Sequence, residues 1–165
     1  MTSKTIITKR PETRELIVER TLTAPPEKVW RAWTEPKHIA QWWGPKHWTA
    51  VVHEMEVRPG GLWRYELRPD EGNGEIARCV ATYREVQAPK LLAFIHRFAD
   101  GNWKPVEGSE MDTVVTFDQD GARTVLKITT RFANVEDLEN AEALGMVEGM
   151  AETLERLAVK LHNEG

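Results

Sequence analysis

Five histidines, one cysteine and a scatter of carboxylates are the groups in this chain that could carry chemistry. His53 and His96 fall in alternating patterns shared with apolar neighbours, so both are expected to point inward. There an imidazole could orient a ligand through a single hydrogen bond, although a core histidine bonded to backbone or water is the commoner outcome. Zinc would need three or four ligands, and neither HExxH nor HxxxH spacing occurs, so no metal is expected. His38 and His47 flank the Trp42-Trp43 pair and are expected at the surface. Glu54 and Glu56 lie two residues apart, as do Arg64 and Glu66. That pattern fits a solvated strand face laced with opposite charges better than a paired-carboxylate site. Arg20 shares the parity of Leu16, Val18 and Leu22, so it either swings out at a strand end or pairs with a buried acid.

Covalent chemistry has little to work with. Cys79 sits in a predicted strand as a small core residue, and a lone cysteine excludes an internal disulfide. The chain contains no G-x-S-x-G, P-loop, dinucleotide-binding glycine pattern or Cys–His arrangement. An acid–base constellation could be assembled from His53, His96 and Glu54, and it would need a strongly perturbed pKa on at least one of them. No catalytic residue and no cofactor is assigned on these grounds.

Aromatic residues offer more. Seven tryptophans stand against two tyrosines and four phenylalanines, and each such ring can bury roughly 150–250 Å². Trp33, Trp42 and Trp43 come from predicted short helices, Trp63 and Tyr65 from one strand, and Phe94, His96 and Phe98 from another. Met146 and Met150 add adaptable thioethers on a C-terminal helix. A mostly apolar set with a few polar groups, His53, His96 and Tyr65, is what a small-molecule pocket requires, and plain core is the competing reading.

The elements that must position these residues follow from the hydrophobic periods. Residues 1–13 read as a flexible lead-in and 14–165 as one domain. Leu16–Leu22 is a strand, broken by Ala24-Pro25-Pro26. A helix follows to Thr34, and a second short one begins at Pro36 and stops at Gly44-Pro45. From Trp48 the period becomes two. Val51, His53, Met55 and Val57 share one face, and Ala50, Val52, Glu54 and Glu56 the other. Arg58-Pro59-Gly60-Gly61 is a turn, then Trp63, Tyr65 and Leu67 alternate with charged residues. Asp70 to Gly74 is a polar turn, Glu75 to Val86 a strand, and Leu92, Phe94, His96 and Phe98 the inward side of the next. A polar loop from Asp100 to Glu110 carries Trp103. Two more strands meet at Asp120-Gly121, the second with Thr124, Leu126, Ile128, Thr130 and Phe132 inward.

Asn134 can cap a final helix. Its apolar residues Leu138, Ala141, Leu144, Val147, Ala151, Leu154 and Leu161 recur every three or four positions, a stripe of ~40 Å at the standard rise. The order predicts an α+β fold, a curved antiparallel sheet of about six to seven strands around a long C-terminal helix. Hydrophobic residues at 41% and charged residues at 29% suit a globular domain, and the net charge of -4 without a basic run argues against nucleic acid. Neither a signal-peptide pattern nor a stretch of ~20 apolar residues appears, so no membrane insertion is expected and the cytoplasm is the default location.

Five segments, Arg20–Thr34, Gln41–Gly44, Arg58–Gly61, Tyr83–Val86 and Gly149–Leu157, resemble the bacterial single-domain homologues of the activator of heat-shock-protein ATPase. That family belongs to the helix-grip superfamily, with the START lipid-transfer domains, birch-pollen-allergen proteins and polyketide cyclases. The resemblance implies a helix-grip fold with a central cavity, while the glycines at 60, 61 and 149 are expected to serve a turn and close helix–sheet packing. It makes a hydrophobic or amphipathic small molecule the expected partner, bound without catalysis. A co-chaperone-like contact with a heat-shock ATPase and a cyclase- or hydrolase-type enzyme are the alternatives, and Trp48 or Trp103 could anchor a homodimer.

Overall fold

Alternation of apolar and polar residues from Trp48 to Phe132 builds six consecutive strands, and two more precede them. The computed structural model describes residues 4–72 and 74–164. Residues 1–3 of the expected lead-in and Asn73 of the expected polar turn lie outside them. The strands are β1 (Ile6–Arg10), β2 (Glu15–Leu22), β3 (Trp48–Met55), β4 (Leu62–Pro69), β5 (Ala77–Gln87), β6 (Leu91–Ala99), β7 (Met111–Asp120) and β8 (Arg123–Arg131). They form one open antiparallel sheet in the order β1-β2-β8-β7-β6-β5-β4-β3. Successive strands from β3 to β8 are neighbours, as short hairpin connections dictate. Two short helices, α1 (Pro26–Thr34) and α2 (Pro36–Ile39), carry the chain from β2 to β3 at the far edge.

The strand count exceeds the expected six to seven because residues 6–10 of the expected lead-in form a strand. Ile6–Arg10 pairs with β2 in register from Ile6 opposite Glu19 to Arg10 opposite Glu15. Two isoleucines and a threonine favour extended backbone there, and a 3-10 turn at Pro11–Thr13 reverses the chain.

The face read as inward from β4, β6 and β8 is buried, with Trp63, Tyr65, Leu92, Phe94, Leu126 and Ile128 almost inaccessible. Strand β3 departs from the expected parity. Its register with β4 shifts between Val52 and Glu54. Ala50 and Val52 face the core before that bulge, and Met55 and Val57 pack on the core after it. One extra residue inverts the alternation, and that residue is His53.

Asn134 caps the next helix, its side-chain oxygen accepting from the Asp137 N–H at 2.8 Å. The single long helix expected from there is two, α3 (Val135–Ala143) and α4 (Met146–Glu164). Gly145 takes the left-handed conformation that ends a helix, with φ +91°. Leu144, placed in the apolar stripe by spacing, is 88% exposed at this break. Helix α4 contributes Leu154, Leu157 and Leu161 to the same core as the sheet. Each buried leucine stabilises the assembly by on the order of 2 kcal/mol. Arg20 pairs with Glu155 of α4 at 2.7 Å, so it is paired rather than swung out, but with an acid that is more than half exposed where a buried one was expected.

Candidate functional site

A cavity of about 380 Å³ lies between the inner face of the sheet and the helices α3 and α4. Its existence has a cause in residue size. Gly149 and Thr153, four residues apart, turn a small-residue face of α4 towards it, with Gly145 just before the helix, while β5 opposes Ala77 and Cys79. A Cβ added at Gly149 would meet no atom within 4 Å. This glycine therefore opens space, where close helix–sheet packing was expected. Gly61 serves the turn as expected, since a Cβ there would sit 2.0 Å from the Glu56 carbonyl oxygen.

Around this space stand Trp33 and Trp43, Tyr65, Phe94, and Met146 with Met150. Phe98 and Leu144 also line it, and both are solvent-exposed apolar side chains, which marks the mouth. Two polar side chains meet within the apolar wall. The Tyr65 hydroxyl lies 2.6 Å from His96 Nε2. Strand β5 separates β4 from β6, and the residues it places between them, Cys79 and Ala81, are small enough for the two rings to lean across. Burial holds the His96 imidazole down to about 4, so it is neutral at physiological pH. Burial likewise pushes the Tyr65 phenol well above its usual 10 and the Cys79 thiol up to about 11. The pair is an uncharged hydrogen-bonding unit, and His96 Nδ1 has no partner among the described residues.

Arg156 fixes one wall. From α4 its Nη1 donates to the carbonyls of Gly44 at 2.9 Å, Pro45 at 3.2 Å and Trp48 at 3.0 Å. Gly44 and Pro45 line the cavity, so this guanidinium ties the connection between α2 and β3 to α4. Gly44 has φ +101° and carries a would-be Cβ 2.9 Å from Leu67 Cδ2, so only glycine fits without displacement. Arg156 lies within the Gly149–Leu157 segment, and nothing in a sequence marks backbone carbonyls as the acceptors of an arginine.

The model of the Activator of Hsp90 ATPase homolog 1-like protein family matches residues 23–162. The chain belongs to that family. A solution structure of a protein from Arthrobacter aurescens is 27% identical, with a TM-score of 0.90 over 96% of this chain and 91% of that one. A crystal structure of a protein from Mycobacterium smegmatis is 24% identical, with a TM-score of 0.86 over 94% and 95%. Another from Rhodobacter sphaeroides is 21% identical, with a TM-score of 0.84 over 97% and 99%. The latter two likenesses are of fold. No curated protein matches the chain.

In this member of the Hsp90-activator-like family the helix-grip fold brings together most, but not all, of the residues singled out from sequence. Trp33, Trp43, Tyr65, Phe94, His96, Phe98, Met146 and Met150 line the cavity. Trp42 does not. It is wholly buried, and its indole N–H donates to the Ala32 carbonyl at 3.0 Å, locking α1 against the end of α2. Trp63 is also behind the wall, stacked on Tyr65 at 4.7 Å and edge-on to Trp43 at 5.0 Å.

His53 lies on the other side of the sheet. Its Nε2 is 2.7 Å from Glu66 Oε1, and Glu66 follows Tyr65 directly, so the two point to opposite faces. Glu66, expected on a solvated face, is 4% exposed beneath Arg68 at 2.8 Å and Arg78 at 3.1 Å. Burial pushes its carboxyl up, but the bonds from His53 and Arg68 outweigh it and hold the group below the usual range. Trp103, half-buried rather than free, sets its edge against His53 at 5.1 Å. Glu54 pairs with Arg64 at 3.3 Å. The constellation of His53, His96 and Glu54 is therefore not assembled. Among the described residues no group of three or more His, Cys, Asp and Glu side chains could hold a metal, and no helix is long and apolar enough to cross a membrane.

Proposed function

We propose that this protein binds a hydrophobic or amphipathic small molecule in the cavity between the sheet and α4, and that it does so without catalysing a reaction. The observation that carries the reading is the facing of small residues, Gly149 on α4 and Cys79 on β5, across a space lined by large apolar rings. A chain selected for stability alone would fill such a space, because unfilled volume in a core costs about 24 cal/mol per Å³. About 380 Å³ lies at the small end of the ~300–1,000 Å³ typical of ligand sites.

Its polar content suits orientation rather than chemistry. Tyr65 and His96 are both held neutral by burial, and Cys79 is a thiol rather than a thiolate. None of them is an activated nucleophile. Titration with lipids, aromatic compounds and polyketide-like compounds tests the reading, because Trp33 and Trp43 stand at the ligand's edge. Saturable quenching of tryptophan fluorescence is expected for at least one class. Failure of every class to quench saturably would contradict it.

A further inference from the structure

We propose, resting on the ligand-binding reading above, that the cavity selects uncharged ligands bearing one hydroxyl or carbonyl oxygen and rejects ionised carboxylates. None of the residues that line it is Lys, Arg, Asp or Glu. The guanidinium of Arg156, which holds the Gly44-Pro45 wall, already spends its Nη1 on three backbone carbonyls. The other source of positive potential is the N-terminal end of α4 at the mouth. It holds its own acid, with Glu148 in the first turn and its Oε2 3.9 Å from where a Gly145 Cβ would be. A carboxylate entering the cavity would lose its hydration and find no counter-charge, a loss that hydrogen bonds from the neutral hydroxyls of Tyr65, Thr113, Thr130 and Thr153 cannot offset.

An oxygen without charge fares differently. When His96 donates from Nε2 to the phenolic oxygen, the Tyr65 O–H is free for a ligand acceptor. When Tyr65 donates to Nε2, the phenolic oxygen still has a lone pair for a ligand hydroxyl. Either arrangement of the pair satisfies one ligand oxygen, and a hydroxyl suits both. The titratable and charged groups that bear on the site from the packed elements are Tyr65 on β4, Cys79 on β5, His96 on β6, and Glu148 with Arg156 on α4. His96, at about 4, stays neutral at pH 5 and above.

Decanol and decanoate differ in this one group and test the proposal by calorimetric titration of the intact protein. At pH near 7.5 decanol is expected to bind at least about tenfold more tightly than decanoate. Lowering the pH to near 5 should strengthen apparent decanoate binding by roughly two orders of magnitude, following its protonated fraction. Tyr65→Phe should weaken decanol at both pH values and should weaken decanoic acid at pH near 5 in the same way, because both offer their oxygen to the same phenol. Equal binding of alcohol and carboxylate at pH near 7.5, with no pH dependence, would overturn the selectivity and leave the cavity a ligand site. Absence of binding by either compound at both pH values would overturn this proposal, while the ligand-binding reading falls only if every class in the quenching titration fails as well.

Discussion

Tyr65 and His96 join at 2.6 Å across an intervening strand, both from buried positions on the inner face of the sheet. The contact is made possible by Cys79 and Ala81 between them, and it places the two polar groups of β4 and β6 in a mostly apolar wall whose other hydroxyls are those of Thr113, Thr130 and Thr153.

That burial makes stability depend on pH in a definite direction. The folded His96 titrates at about 4, against ~6.5 for an unfolded histidine. Above ~6.5 the ring is neutral in both states and the contribution is fully present. As pH falls below it the unfolded chain takes the proton first, so stability is lost down to about 4, by on the order of 3 kcal/mol. Urea midpoints between pH 7.5 and 4.5 should fall less steeply for His96→Phe than for the parent. Parallel curves would count against a buried neutral imidazole.

Gly149→Leu should separate binding from folding. The new side chain enters the cavity, and replacing glycine within a helix gains up to about 1 kcal/mol in propensity. The variant is therefore expected to melt at or above the parent temperature while losing ligand-induced quenching. A folded variant that still binds would place the ligand elsewhere.

Arg156→Met removes a donor shared by three carbonyls and should cost roughly 2–4 kcal/mol in chemical denaturation. Arg156→Lys should recover only part, since an ammonium lacks the planar fork. A loss below 0.5 kcal/mol in Arg156→Met would mean that water replaces the guanidinium without penalty.

Cys79 is buried and its thiol is pushed up to about 11. Alkylation of the native protein at neutral pH should run at least about a hundredfold slower than in denaturant. Rapid native labelling would show that β5 opens readily or that the thiolate is stabilised.

The legible part of this fold was the part where alternation runs uninterrupted. Trp63 and Tyr65, Phe94 and His96, and Leu126 and Ile128 face inward as their parity requires. The bulge at His53 could not be read, because one extra residue leaves the composition of β3 unchanged while reversing its faces. This displaced the expected pocket histidine to the opposite surface. The break at Gly145 was hidden by apolar spacing that continues through Leu144, and a glycine inside a helix is too mild a breaker to settle the matter alone. Glu66 and Arg156 were opaque for a common reason. Glu66 is covered by Arg68 of its own strand, Arg78 of the adjacent β5 and His53 of β3, and Arg156 by backbone carbonyls, whereas charge on a strand or helix reads as solvated. The cavity itself left only a faint trace, the small residues Gly145, Gly149 and Thr153 at four-residue spacing.

Native mass spectrometry of the parent and Gly149→Leu proteins, purified side by side, tests the central claim most directly. The parent is predicted to carry a small hydrophobic molecule at near-stoichiometric occupancy, released on mild denaturation, while the variant appears at its bare mass. Identical bound-mass profiles for the two proteins would contradict a ligand held between the sheet and α4.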